Sequence, residues 1–258
     1  MKHAIIIEGY GTGSDYQCAN EIVAERLTEI LGEEVHYGCA HIGEPKIEDT
    51  IAEVAEEGPD AVVVVPMYFA ESGYTVGNTF KRFNADPSTR RGRMELGGKQ
   101  VETYVAKVFT SFPEMHDFFR KKAEQYAPDK SKVGFIMVGH GSRTGENSSV
   151  VEVFGDRLRS LGYDVVCCSN EFAKITVEDA LRELASRKGE VVVIPMFISP
   201  NHHYREEVSV KLGLSKEMSS GTVSVDGKDV KVLMTEEIGI SDGVTPIILK
   251  SIRESGFL

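Results

Sequence analysis

The strongest constraint on the fold of this 258-residue chain is that it repeats itself. An apolar run over residues 3–8 ends in Gly9-Tyr10-Gly11-Thr12, and a second over residues 133–138 ends in Gly139-His140-Gly141-Ser142. A helical pattern follows each, near 15–31 and 148–161, and short strand patterns come next at 34–38 and 164–168. Ile47-Glu48-Asp49-Thr50-Ile51 opens one further helix and Val177-Glu178-Asp179-Ala180-Leu181 opens its counterpart. The third strands carry Pro66-Met67-Tyr68-Phe69 and Pro195-Met196-Phe197, and the fourth follow Gly98-Lys99-Gln100-Val101 and Gly227-Lys228-Asp229-Val230. Matching positions stay 129 or 130 residues apart throughout.

The repeat predicts an α/β chain of two tandem βαβαβαβα units, residues 1–127 and 128–258, joined in the polar, proline-bearing stretch 126–132. Strands that alternate with helices form parallel sheets with helices on both faces. Continuous Val and Ile runs, without alternation, fit strands buried on both sides. Each unit is expected to hold a four-stranded parallel sheet flanked by helices.

Composition narrows the function. A formal charge of −11 argues against a nucleic-acid binder, which needs a basic face. No apolar run approaches the roughly 20 residues of a membrane helix, and the amino-terminal MKHAIIIEGYG reads as a first strand, not a signal peptide. The four cysteines, Cys18, Cys39, Cys167 and Cys168, have no zinc-finger or CxxC spacing. They read as reduced packing residues of a cytoplasmic protein, with Cys167 and Cys168 pointing to opposite faces of one strand.

The duplication lets two candidate sites be compared within one chain. His140 stands opposite Tyr10, Glu171 opposite His41, and His203 opposite Tyr74. Ligands of open α/β sheets bind just beyond the carboxyl ends of the strands, so His140, Glu171 and His203 should converge on one cleft. Two imidazoles and a carboxylate suit a divalent first-row metal, and the same groups move protons near neutral pH. Tyr10, His41 and Tyr74 are a poor metal set, since a neutral phenol seldom binds divalent ions. The first half reads as a degenerate copy whose aromatic residues wall a flat ligand.

Other signals are weaker. Residues 80–98, with Arg82, Arg90, Arg91 and Arg93, read as a basic loop, either a solvated linker or a flap or anion contact over the cleft. Residues 213–227 are its less charged counterpart. Gly9-x-Gly11-x-Gly13 lacks the GxGxxG spacing and any following Lys-Ser/Thr, so no nucleotide is expected. His36 reads as a partly buried structural residue, and His202 as a second proton carrier or a loop residue.

His140-Gly141-Ser142-Arg143 after the first strand, Glu171 after the second, and Pro195-Met196-Phe197-Ile198-x-x-x-x-His203-x-Arg205-Glu206 after the third resemble the class II tetrapyrrole chelatases, in particular the CbiX type of sirohydrochlorin chelatase. That resemblance implies two flavodoxin-like units facing each other across a tetrapyrrole cleft. It also implies ATP-independent insertion of Co2+ or Fe2+, in siroheme or cobalamin biosynthesis. His140 and His203 would bind the metal and accept pyrrole protons, and Glu171 would assist. Long CbiX proteins carry the histidine pair in the first half. Its place here, in the second, is closer to protoporphyrin ferrochelatase and the CbiK type.

The chemistry sets further expectations. Imidazoles favour Co2+, Fe2+ or Ni2+ over Mg2+, and the metal is a substrate; no iron–sulfur cluster is expected. Sirohydrochlorin carries eight carboxylates, which a chain of charge −11 would repel. Local groups must therefore hold it: Arg143, Ser142 and Arg205 beside the motifs, the rings of Tyr10 and Tyr74, and amides at helix amino termini. A monomer suffices for one site, and a homodimer is compatible. Two alternatives stand beside this reading: a protoporphyrin ferrochelatase, and a non-catalytic carrier of tetrapyrrole or metal.

Overall fold

The computed structural model describes residues 2–13, 17–141, 146–172, 174–199, 202–216 and 218–258; of residues 146–148 and 202–204 it describes the backbone alone. Apolar runs become strands and amphipathic segments become helices in the order the repeat predicts. In the first half these are β1 (His3–Gly9), α1 (Ala19–Leu31), β2 (Val35–Cys39), α2 (Ile47–Glu57), β3 (Ala61–Met67), α3 (Tyr74–Arg82), β4 (Arg91–Leu96), β5 (Lys99–Val105) and α4 (Glu114–Tyr126). The second half repeats them as β6 (Val133–Gly139), α5 (Glu146–Ser160), β7 (Asp164–Ser169), α6 (Val177–Ala185), β8 (Glu190–Met196), α7 (His202–Lys211), β9 (Ser220–Val225), β10 (Lys228–Met234) and α8 (Thr245–Arg253).

The strands form two sheets, in the orders β2-β1-β3-β5-β4 and β7-β6-β8-β10-β9. Four strands of each are parallel, as expected from their unbroken apolar runs. The expectation of four-stranded sheets is corrected by one strand each. β4 and β9 pair antiparallel with β5 and β10 at the sheet edges.

The same finding corrects the reading of residues 80–98 as a basic loop. The stretch holds the end of α3, a turn, and β4. All four of its arginines are bonded within the unit. Arg82 reaches Glu8, 2.5 Å away. Arg90 donates to the carbonyls of Val105 and Ala106, both at 2.7 Å, and pairs with Glu71. Arg91 donates to the Ser255 carbonyl at 2.6 Å, and Arg93 lies exposed on β4, 3.4 Å from Glu102.

The chain divides into two compact units, one of Met1–Phe112 with Gly239–Leu258 and the other of Pro113–Ile238. The helix that ends each sequence half thus belongs to the other unit. In the unit of Pro113–Ile238, Phe119 of α4 packs on Phe154 of α5 with ring centroids 4.6 Å apart. In the other, α8 is fixed by the Ser251 hydroxyl donating to the Lys107 carbonyl at 2.7 Å. Each core lies between its sheet and the helices over it. Ile136, Val138, Val191 and Val193 meet Ala180, Leu181 and Leu184 of α6 and Val208 of α7. Ala4, Ile6, Val62 and Val64 meet Ile47 and Val54 of α2 and Val76 and Phe80 of α3. A capping box, with Thr176 and Asp179 bonded reciprocally, starts α6. Among the described residues, no helix is long and apolar enough to cross a membrane.

Candidate functional site

β6 lies between β7 and β8, and the chain leaves it one way toward β7 and the other way toward β8. Such a reversal opens a crevice at the carboxyl ends of the two strands beside it. The three strands run out in register, since Gly139 is paired with Ser169 on one side and Met196 on the other. Neighbouring strands lie about 4.8 Å apart, so the residues that follow are brought together by the sheet itself.

His140 follows β6 and is half-buried. Its Nδ1 lies 3.1 Å from the Gly141 carbonyl oxygen. The Asn170 amide donates to the Gly139 carbonyl at 2.8 Å and the Glu171 amide to the His140 carbonyl at 2.9 Å. These two bonds hold the β6 and β7 loops side by side and make Glu171, also half-buried, the neighbour of His140. Gly141 is required between them. It has φ +91°, and a Cβ there would stand 2.0 Å from the Glu171 carbonyl oxygen.

α7 begins at His202, which puts His203 in its first turn, just beyond β8; the His203 side chain lies outside the described part. What fixes α7 to the β7 loop is Asn170, which is buried. Its Nδ2 donates to Glu207 Oε2 at 2.8 Å, and Lys211 Nζ donates to its Oδ1 at 2.7 Å and its carbonyl at 2.9 Å. The residue before Glu171 is thus clamped at two points to the helix that carries His203. Sequence reasoning missed this clamp. The first half cannot form the same clamp, since the residues matching Asn170 and Glu207 there are Ala40 and Asn78.

The other expected contacts are spread more widely. Ser142 and Arg143 lie outside the described residues. Arg205 points its Nη1 at the buried carboxylate of Glu237, 3.3 Å and 3.4 Å from the two oxygens, so its charge has a partner within the unit. Tyr10 and His41 lie together in the other unit, ring centroids 4.6 Å apart, on loops joined like those of His140 and Glu171. Tyr74, the first residue of α3, is 78% exposed.

The copy in the first half also differs beneath its loops. Glu8 stands where the second half has Val138, and it is fully buried. Burial pushes its carboxyl up to about 7, against the pull of the Arg82 guanidinium and the Thr79 hydroxyl 3.1 Å away. Arg82 occupies the position of Lys211. In one copy the cation at the end of this helix clamps a loop; in the other it answers a buried acid.

The four cysteines form no disulfide and are buried. Cys167 touches Arg159 on α5 while Cys168 joins the core under α6, on opposite faces of β7. Burial pushes the Cys167 thiol up to about 12, far from a metal-binding thiolate. His36 is buried and pairs with Glu57 at 2.8 Å. Glu34, His36 and Glu57 place one ligand atom each within 4.8 Å of one another. That group is at the amino-terminal end of β2, the opposite end of the sheet from the loops, and Lys2 is 3.8 Å from Glu57.

A family model described as ferrochelatase matches residues 3–147, and one described as CbiX matches residues 134–255. A sirohydrochlorin cobaltochelatase of Methanosarcina acetivorans is 26% identical over 127 residues, 97% of its own length and 48% of this chain. Among solved structures, SirB from Bacillus subtilis with Fe3+ superposes with a TM-score of 0.68 at 16% identity, covering all of this chain and 96% of its own. DR2241 from Deinococcus radiodurans, a multi-domain protein with structural similarity to chelatases and two additional domains, matches with a TM-score of 0.68 at 20% identity. This chain spans 55% of that protein and 98% of itself is covered. These structural likenesses establish the tandem α/β chelatase fold.

Proposed function

The chain belongs to the ferrochelatase family, and its second half is similar to CbiX; from that premise we propose that it inserts a divalent metal ion, Co2+ or Fe2+, into sirohydrochlorin without nucleotide hydrolysis. The observation that carries the reading is the common ending of β6, β7 and β8, where the Glu171 amide is bonded to the His140 carbonyl and α7 starts with His202 and His203. The M. acetivorans relative supports the choice of macrocycle.

Insertion exchanges two pyrrole N–H protons for one M2+, so the site must bind the ion and remove two protons. His140 and His203, as neutral imidazoles, bind the incoming metal, and as the ion passes to the pyrrole nitrogens their released lone pairs accept the two protons from the breaking N–H bonds. Glu171 lowers the charge of the bound ion and passes protons to water. The flat macrocycle hides its nitrogens, so binding energy is used to hold the ring bent. Ser142 and Arg143, at the start of the segment after Gly141, take peripheral carboxylates. We place the reaction in the cytoplasm, where free cysteines remain reduced.

The test is anaerobic mixing of limiting protein with sirohydrochlorin and either metal. Multiple turnovers are expected, and His140→Ala and His203→Ala should each fold normally and lose at least about two orders of magnitude in rate. A stoichiometric spectral change that stops after one equivalent would make the protein a carrier instead. Turnover of protoporphyrin in preference to sirohydrochlorin would move it to the ferrochelatase reaction.

A further inference from the structure

Phe172 directly follows Glu171 and combines exposure with an unusual backbone. Its side chain is 59% exposed, and its backbone lies at φ +50°, a region that bulky L residues avoid. The other described non-glycine residues with positive φ are Asn84, Arg90 and Asp226. Asn and Asp tolerate that region, and Arg90 is held there by its bonds to Val105, Ala106 and Glu71. Backbone strain of this kind concentrates where ligands are bound. The matching residue of the first half, Ile42, is also apolar and 47% exposed.

The loop beneath Phe172 is fixed. The Glu171 amide is bonded to the His140 carbonyl, the Glu171 carbonyl abuts Gly141, and Asn170 is clamped to α7. The backbone that places Phe172 is thus the backbone that places the candidate metal-handling groups. A ring so anchored suits a ligand with a broad conjugated face, while a bare metal ion has no use for it.

We propose that Phe172 is a positioning residue that packs on the face of the tetrapyrrole and sets the macrocycle against His140 and Glu171. The proposal rests on the chelatase reading above. It assigns the residue a role in macrocycle affinity and none in metal affinity.

Phe172→Asn tests it, because asparagine accepts the left-handed backbone and removes the ring. Three quantities are measured on the full chain: the Kd for metal-free sirohydrochlorin by absorbance titration, the Kd for Co2+ alone, and the thermal midpoint. The expected result is a macrocycle Kd raised about tenfold or more, an unchanged Co2+ Kd, and a variant that stays fully folded at the temperature of the titration. KM should rise far more than kcat falls, and Phe172→Trp should keep the parental affinity. An unchanged macrocycle Kd or an altered Co2+ Kd would each overturn the assignment. If the parent protein itself binds no sirohydrochlorin, the chelatase reading falls and takes this inference with it; parental binding with an unaffected variant removes Phe172 alone.

Discussion

Glu8→Gln separates two opposing forces on a buried acid. The Glu8 carboxyl is excluded from water, which favours the protonated form, and sits 2.5 Å from the Arg82 guanidinium, which favours the charged one. The balance raises it from 4.5 to about 7, a differential of about 3 kcal/mol at 1.36 kcal/mol per unit. Below the unfolded value both states carry the proton, so pH has no purchase. As pH rises toward 7 the unfolded chain ionises while the folded unit keeps its proton, and stability falls; beyond about 7 the loss is complete. Glutamine cannot ionise. The stability of Glu8→Gln relative to the parent should therefore rise by about 3 kcal/mol between pH 4.5 and 8. Urea unfolding followed by circular dichroism measures this, with amide exchange in β1 assigning the transition to the unit that contains Glu8. Parallel pH profiles would refute the argument. A parent that gains on the variant as pH rises would show that Arg82 outweighs burial.

Asn170→Ala removes bonds to a carboxylate and an ammonium and leaves both charges without that partner, which should cost about 2 kcal/mol in denaturant unfolding. It should also lower kcat about tenfold or more if the clamp aligns Glu171 with α7, since small misplacements of reacting groups are costly. Gly141→Ala drives a methyl group into the Glu171 carbonyl from a left-handed backbone. It is expected to lower stability by about 1–3 kcal/mol and activity by more than Asn170→Ala does, measured by the same two assays. Arg143→Ala should raise the KM for sirohydrochlorin far more than it lowers kcat in steady-state assays; an unchanged KM removes Arg143 from the substrate contacts.

The architecture was legible because both copies carry the same buried Val and Ile runs, and two readings of one pattern correct each other. The fifth strand of each sheet was not. In β4 the exposed residues are Arg91, Arg93 and Glu95, alternating with the less exposed Gly92, Met94 and Leu96. That is a period-two pattern, but a glycine and charged residues mask it, as edge strands commonly do. The pairing of His140 with Glu171 could be foreseen because the ends of parallel strands bring successive loops together. The Asn170 clamp joins residues 37 and 41 apart in the chain, and no local pattern announces such a contact. Arg205 was legible as a cation beside the histidine motif, yet its partner, Glu237, lies beyond β10 and could be found only in the folded unit.

The traded terminal helices impose an order on biosynthesis. The unit of Pro113–Ile238 has all its parts once Ile238 has left the ribosome, although its first residue is made only after β1 to β5. The earlier sheet must wait for Gly239–Leu258 before α8 can cover it. Neither half of the repeat therefore completes a unit by itself: the earlier half lends α4 to the later sheet, and the earlier sheet gets α8 back only after β6 to β10 have been made.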